Sequence, residues 1–153
     1  IPTLEAVFDE LPGDLHINVE IKPDLFGPHR PADAIEPQVI ELVRAKKRLE
    51  TVLVSSFEPC ILECLRERDA DLKLALLTNA AIDSQMAAFC RDLGCTSCHP
   101  KAQITTSEGV GLMHAEEILV YTFTVNTTED YDRVRACGVD GVITDDPAKF
   151  LAV

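Results

Sequence analysis

The sequence predicts an α/β fold built on a parallel sheet, and three observations predict it. Segments of period-two or continuously apolar character alternate with segments of helical period from end to end. Cap and turn residues punctuate the junctions, and 46% of the 153 residues are hydrophobic, enough to build a core. Strands alternating with helices at this spacing imply βα units and parallel pairing. Six strands are predicted, with no linker, low-complexity tract or repeat beyond the βα unit. A complete chain of this kind fits a six-stranded doubly wound sheet. A truncated one fits six of the eight strands of a (β/α)8 barrel, because an intact barrel usually needs about 200 residues or more.

Taken in order, Thr3 caps a short helix over 4–11, closed by Pro12-Gly13-Asp14. Residues 15–22 alternate apolar and polar as a strand. Residues 23–31 hold four prolines and glycines, a loop long enough to be functional. Ile35, Val39, Leu42 and Val43 mark one face of the next helix, with Lys46, Lys47 and Arg48 suited to its negative end. A strand over 51–55, a helix over 58–68 with Ile61, Leu62 and Leu65 inward, and a strand over 73–77 follow. Asp83 or Ser84 caps a helix carrying Met86, Phe89, Cys90 and Leu93, and Gly94 ends it. Then come a short strand over 96–99, a weaker helix over 108–117, a strand over 119–125, a helix over 129–137 and a last strand over 141–144. A final helical turn begins near Pro147.

Charge and cysteine usage bound the function. With 26 acidic and 14 basic side chains the formal charge is −12, which argues against nucleic acid or anionic membrane as partner. No apolar run approaches the ~18 residues of a membrane span. The six cysteines are too sparse for a disulfide scaffold, and a reducing, cytoplasmic setting is expected. Cys60, Cys64 and Cys90 are read as small core hydrophobes. Cys95-Thr96-Ser97-Cys98-His99 matches the Cys-x-x-Cys-His pattern of haem attachment, but it lies in a βα array before Pro100. A zinc site there would need a second ligand pair at suitable spacing, which is missing. The chain begins at Ile1 rather than Met, so it is expected to be an interior stretch of a longer product.

The most informative stretch is His16-Ile17-Asn18-Val19-Glu20-Ile21-Lys22-Pro23. A parallel strand buried on both faces is continuously apolar; here Ile17, Val19 and Ile21 take one face while His16, Asn18, Glu20 and Lys22 take the other. In a barrel the polar set would project into an enclosed lumen. Glu20 and Lys22 are then roughly 6.6 Å apart along the strand, at the C-terminal end where barrel active sites are built. The functional reading is a metal-binding carboxylate beside a cation that holds an anionic oxygen. The ordinary alternative is a strand with one solvent-facing side. Polar residues also end the other strands: Ser55-Ser56, Thr78-Asn79, His99-Pro100, Thr124 to Thr127 and Thr144 to Asp146. Helix capping explains any one of them, while their recurrence fits a site on one face of the sheet. Among the histidines, His99 is the best auxiliary substrate contact. His29 lies in the long loop, and His16 and His114 are read as structural.

Ile1-Pro2-Thr3-Leu4-Glu5, Asn18-Val19-Glu20-Ile21-Lys22-Pro23, Val54-Ser55-Ser56-Phe57, Thr124-Val125-Asn126-Thr127 and the run from Gly138 to Pro147 occur in this order. The set resembles the C-terminal part of the glycerophosphodiester phosphodiesterase family. The resemblance implies a TIM barrel of the phospholipase C-like type, here only about six βα units (strands three to eight), so that residues 1–153 are a partial domain lacking its N-terminal strands. It implies metal-dependent hydrolysis of small-molecule glycerophosphodiesters to glycerol 3-phosphate and an alcohol, in lipid metabolism, with Ca²⁺ or Mg²⁺. It places a metal ligand at Glu20 and a substrate-facing cation at Lys22. Phe123 stands where the family has a pocket-lining Trp, which keeps an aromatic wall and removes an N–H donor.

The family's His-Arg-Gly, Glu-x-Asp and His-Asp motifs are not in this chain. Both catalytic histidines and the other metal carboxylates are therefore missing, and the 153 residues alone are expected to be inactive. A non-catalytic relic or binding module is the alternative, and unpaired strand edges are expected to make the isolated chain self-associate.

Overall fold

The computed structural model describes residues 1–22 and 35–150. The predicted loop from Pro23 to Pro31, with His29, lies outside the described residues. The chain divides into two compact units, Ile1–Ala75 and Leu76–Val153.

The first unit contains α1 (Leu4–Glu10), β1 (Ile17–Glu20), α2 (Ile35–Ala45), β2 (Val52–Ser56), α3 (Pro59–Arg68) and the start of β3 (Lys73–Thr78). Thr3 caps α1 as predicted, its hydroxyl accepting from the Ala6 N–H at 3.2 Å. β1 and β2 pair in parallel, with Ile17 opposite Val52 and Glu20 opposite Ser55. β1 is shorter than its alternating sequence because the ladder begins at the Thr51 carbonyl and ends at the Ser55 carbonyl, leaving Leu15 and His16 with nothing to pair against. His16 is exposed. Val43, Val52, Val54, Leu62 and Leu65 are wholly buried and form the centre of this unit's core.

Two charged clamps were not legible as such. Arg48 is buried, and its guanidinium donates to the carbonyls of Phe8, Leu11 and Pro12, each at 2.6 Å. It holds the end of α1 rather than decorating the surface end of α2, and it lies over the Phe8 ring. Arg44 on α2 makes a two-pronged bond to Asp69 just past α3, at 2.5 and 2.6 Å. That guanidinium holds the Asp69 carboxyl below the usual carboxylate range.

Cys60 and Cys64 correct an expectation. Cys60 is exposed and Cys64 only partly buried. The buried stripe of α3 is Ile61, Leu62 and Leu65, and at about 100° per residue both cysteines fall more than a quarter turn from its centre. The Cys64 sulfur accepts from Arg68 instead.

The second unit contains the end of β3, α4 (Ser84–Leu93), β4 (Ser97–Pro100), a 3₁₀ turn (Ala102–Ile104), α5 (Ser107–Ala115), β5 (Leu119–Thr122), α6 (Thr128–Ala136), β6 (Gly141–Val142) and a 3₁₀ turn from Pro147 to Lys149. Asp83, not Ser84, caps α4, accepting from Met86 N–H at 2.8 Å. Gly94 ends that helix at φ +70°, a left-handed conformation that glycine adopts without steric cost. β5 stops at Thr122 because Phe123 makes only an isolated parallel bridge to Lys101. The 3₁₀ turn after β4 was not predicted.

Strand order is β1-β2-β3 in the first unit and β3-β4-β5-β6 in the second. A doubly wound sheet reverses its order at a switch point; this one follows the chain without reversal. Right-handed crossovers then put every helix on one face. The winding is that of a (β/α)8 barrel, of which six strands are present.

Candidate active site

In the first unit the predicted polar face of β1 is real. Asn18 and Glu20 are exposed while Ile17 and Val19 are partly buried and Ile21 is buried. The ammonium of Lys22 lies 3.3 Å from Glu20 Oε1. The expected enclosure is not found: the Glu20 side chain is 34% exposed and that of Lys22 is 76% exposed. The in-register neighbour of Glu20 is Ser55, whose side chain shares that face. Ser55 is wholly buried, and its hydroxyl has no hydrogen-bond partner among the described residues. A carboxylate, an ammonium and an unsatisfied hydroxyl therefore converge at the C-terminal ends of β1 and β2. The Glu20–Lys22 pair is neutral as it stands, and it presents a carboxylate for a cation and an ammonium for an anion.

Ser56 does something else. Its hydroxyl donates to the Ile21 carbonyl at 2.8 Å and accepts from Glu58 N–H at 3.2 Å, tying the end of β1 to the start of α3. The capping or turn explanation also holds for Thr78, Thr127 and Thr144, whose hydroxyls accept from the N–H groups of Ala80, Asp130 and Asp146.

A hard divalent cation takes about six oxygen ligands, and Glu20 offers one carboxylate. Among the described residues no group of three or more His, Cys, Asp or Glu could hold a metal ion. The described residues therefore do not make a divalent-cation site by themselves. The same finding disposes of zinc at Cys95, Cys98 and His99. Successive strand residues point to opposite faces, so Cys98 and His99 diverge from β4.

In the second unit β4 and β5 pair with Ser97 opposite Leu119 and Cys98 opposite Val120. β5 and β6 pair with Tyr121 opposite Gly141 and Thr122 opposite Val142. Val142 packs with Val134 of α6, so its face, shared with Thr122, Val120 and Cys98, is the helix side. Ser97, His99, Tyr121 and, through the bridge, Lys101 and Phe123 occupy the opposite face. Gly141 is required there, because a Cβ on it would stand 2.8 Å from the Tyr121 ring.

His99 ends its strand on this face, as expected, but its ring is 99% enclosed (1% exposed). Burial lowers its pKa to about 4, so the imidazole is neutral at physiological pH. Nε2 shares a 2.9 Å hydrogen bond with Ser97 Oγ, Nδ1 has no partner among the described residues, and the edge of Tyr121 packs 5.5 Å away. Phe123 is partly buried and offers the aromatic surface the sequence pointed to. His114 is bonded to Asp140 at 2.9 Å.

The Thr124–Thr127 motif is bound to the loop that follows β6. The amide of Asn126 donates to Asp145 at 2.7 Å and accepts from Asp145 N–H at 3.0 Å and from the Thr144 hydroxyl at 3.1 Å. Lys149 donates to the Asn126 carbonyl at 2.7 Å. Two of the sequence motifs thus form one hydrogen-bonded corner. Sequence reasoning passed over Ser55, taken only as one of several polar strand ends, and Lys101.

No described helix is long and apolar enough to cross a membrane. The model of the glycerophosphoryl diester phosphodiesterase family matches residues 1–149. A glycerophosphodiester phosphodiesterase of Caldanaerobacter subterraneus is 32% identical over 153 residues, covering 99% of this chain and 60% of its own. One from Bacillus altitudinis is 29% identical, with 100% and 62% covered. The chain thus spans about three-fifths of the length of these curated relatives. Among solved structures, a phosphodiesterase of Oleispira antarctica in complex with the product sn-glycerol-3-phosphate superposes with a TM-score of 0.81 at 20% identity, covering 99% of this chain and 60% of that one. A glycerophosphodiester phosphodiesterase of Parabacteroides distasonis gives 0.81 at 18%, with 97% and 61% covered. At that identity the two structures speak to the fold, and they agree with the barrel winding. With the family match running through β1, β5 and β6, the chain belongs to the glycerophosphoryl diester phosphodiesterase family.

Proposed function

We propose that residues 1–153 are the C-terminal part of a phosphodiesterase domain that hydrolyses glycerophosphodiesters to glycerol 3-phosphate and an alcohol. The observation that carries this reading is the Glu20–Lys22 pair at the C-terminal end of β1, 3.3 Å apart on the polar face beside the unsatisfied Ser55 hydroxyl. Lys22 would turn from Glu20 to a non-bridging phosphoryl oxygen and neutralise part of its charge. Phe123 would wall the organic part of the substrate, and His99, held neutral, would offer a hydrogen bond at Nδ1. Glu20 would be one of several carboxylates on a Ca²⁺ or Mg²⁺ ion, the others lying outside the described residues. The isolated 153 residues are then inactive. All six cysteines are free, which supports a cytoplasmic address; recovery of the tagged protein outside that compartment would overturn it.

The test is release of glycerol 3-phosphate by the protein expressed from its complete reading frame. Glu20→Gln and Lys22→Met should each lower kcat/KM by about 10²-fold or more, the scale of a lost charge-stabilising group, while the melting temperature holds. Unchanged turnover in both variants, or no release by the wild type with a range of glycerophosphodiesters, would refute the reading. Hydrolysis by the isolated 153 residues would refute the part assigned to them.

A further inference from the structure

Lys101 follows β4 and is bridged in parallel to Phe123: Phe123 N–H donates to the Pro100 carbonyl at 3.1 Å, and Ala102 N–H donates to the Phe123 carbonyl at 2.5 Å. Bridged partners present their side chains to the same face, on chains about 4.8 Å apart. That face is the one opposite α6, shared with His99 and Tyr121. The Lys101 backbone is held from behind, its carbonyl accepting from the Thr105 hydroxyl and the Ile104 N–H, each at 3.1 Å. Its side chain is exposed.

The ammonium of Lys101 makes no hydrogen bond or ion pair among the described residues. Lys22, Lys46, Lys73 and Lys149 all do, with Glu20, Asp9, Glu50 and the Asn126 carbonyl. In a chain of net charge −12, an unneutralised cation fixed beside an aromatic surface is a selective feature.

We infer that Lys101 is a specificity-determining residue, discriminating against glycerophosphodiesters whose alcohol is positively charged; this rests on the phosphodiesterase reading and on Phe123 walling the substrate. An aromatic face by itself attracts a quaternary ammonium group. A second ammonium on the neighbouring chain opposes it. At a separation of about 6 Å the repulsion amounts to roughly 3-fold in affinity at the dielectric of water and roughly 100-fold at an effective value near 20, so an effect of about tenfold is expected. Neutral polyols and anionic alcohols escape this penalty, and the latter gain a partner.

The experiment compares kcat/KM for glycerophosphocholine and glycerophosphoinositol in the complete protein, for the wild type, Lys101→Met and Lys101→Arg. The wild type should favour glycerophosphoinositol. Lys101→Met should shift the ratio toward glycerophosphocholine by about tenfold, and Lys101→Arg should keep the wild-type ratio. An unchanged ratio in Lys101→Met, or an equal loss on both substrates, overturns the inference and leaves the phosphodiesterase reading standing. Failure of the wild type to hydrolyse either substrate, or any other glycerophosphodiester, sinks that reading and this inference with it.

Discussion

Acidification should destabilise the second unit through His99 before its carboxylates titrate. An unperturbed imidazole has a pKa near 6.5, whereas burial lowers that of His99 to about 4. Between those values the unfolded chain takes up a proton that the folded protein refuses. The stability present above pH 6.5 is therefore lost progressively as pH falls toward 4. Linkage with these two values gives a loss of about 2.5 kcal/mol between pH 8 and pH 4.5. Nothing nearby offsets it: Nε2 already shares its hydrogen bond with Ser97, the facing group is the edge of Tyr121, and Nδ1 has no partner among the described residues.

The assay is denaturant unfolding across that range for the wild type and for His99→Gln, which removes the titration and keeps a polar group on Ser97. The pH-dependent loss in the wild type should exceed that in the variant by about 2.5 kcal/mol. The His99 ring resonance should show no titration above pH 5. A His99 midpoint near 6.5, or equal pH dependence in both proteins, would refute burial as the cause.

Two further outcomes follow from the first unit and from the sheet edges. Arg48→Met should destabilise the chain by about 2–4 kcal/mol, since it strands carbonyls of Phe8, Leu11 and Pro12 that now accept charged hydrogen bonds; a loss under about 1 kcal/mol in denaturant titration would contradict the clamp. The isolated 153 residues should self-associate, because β1 and β6 end the strand order and each pairs on one side; sedimentation as a monomer with cooperative unfolding would count against this.

The amino-acid sequence alone determined the alternation of strands and helices, most caps, and the two-faced character of β1. These are local matters. Period-two alternation through Ile17, Val19 and Ile21, a hydroxyl at Thr3 and a glycine at Gly94 act over a few residues, so their pattern is readable without knowing what lies opposite. The resemblance in ordered motifs was legible for the same reason, and it reached Glu20, Lys22 and Phe123. Tertiary structure alone decided which way Cys60 and Cys64 turn, that Arg48 goes inward to α1, and that the ring of His99 is enclosed and neutral. It also chose sequential winding over a doubly wound sheet, joined Asn126 to Asp145, and set Lys101 beside Phe123. In each of these the partner lies far along the chain: 36 to 40 residues for the Arg48 carbonyls and 19 for Asp145. Burial, and the charge state that follows from it, belongs to the assembled neighbourhood of a side chain rather than to its flanking residues.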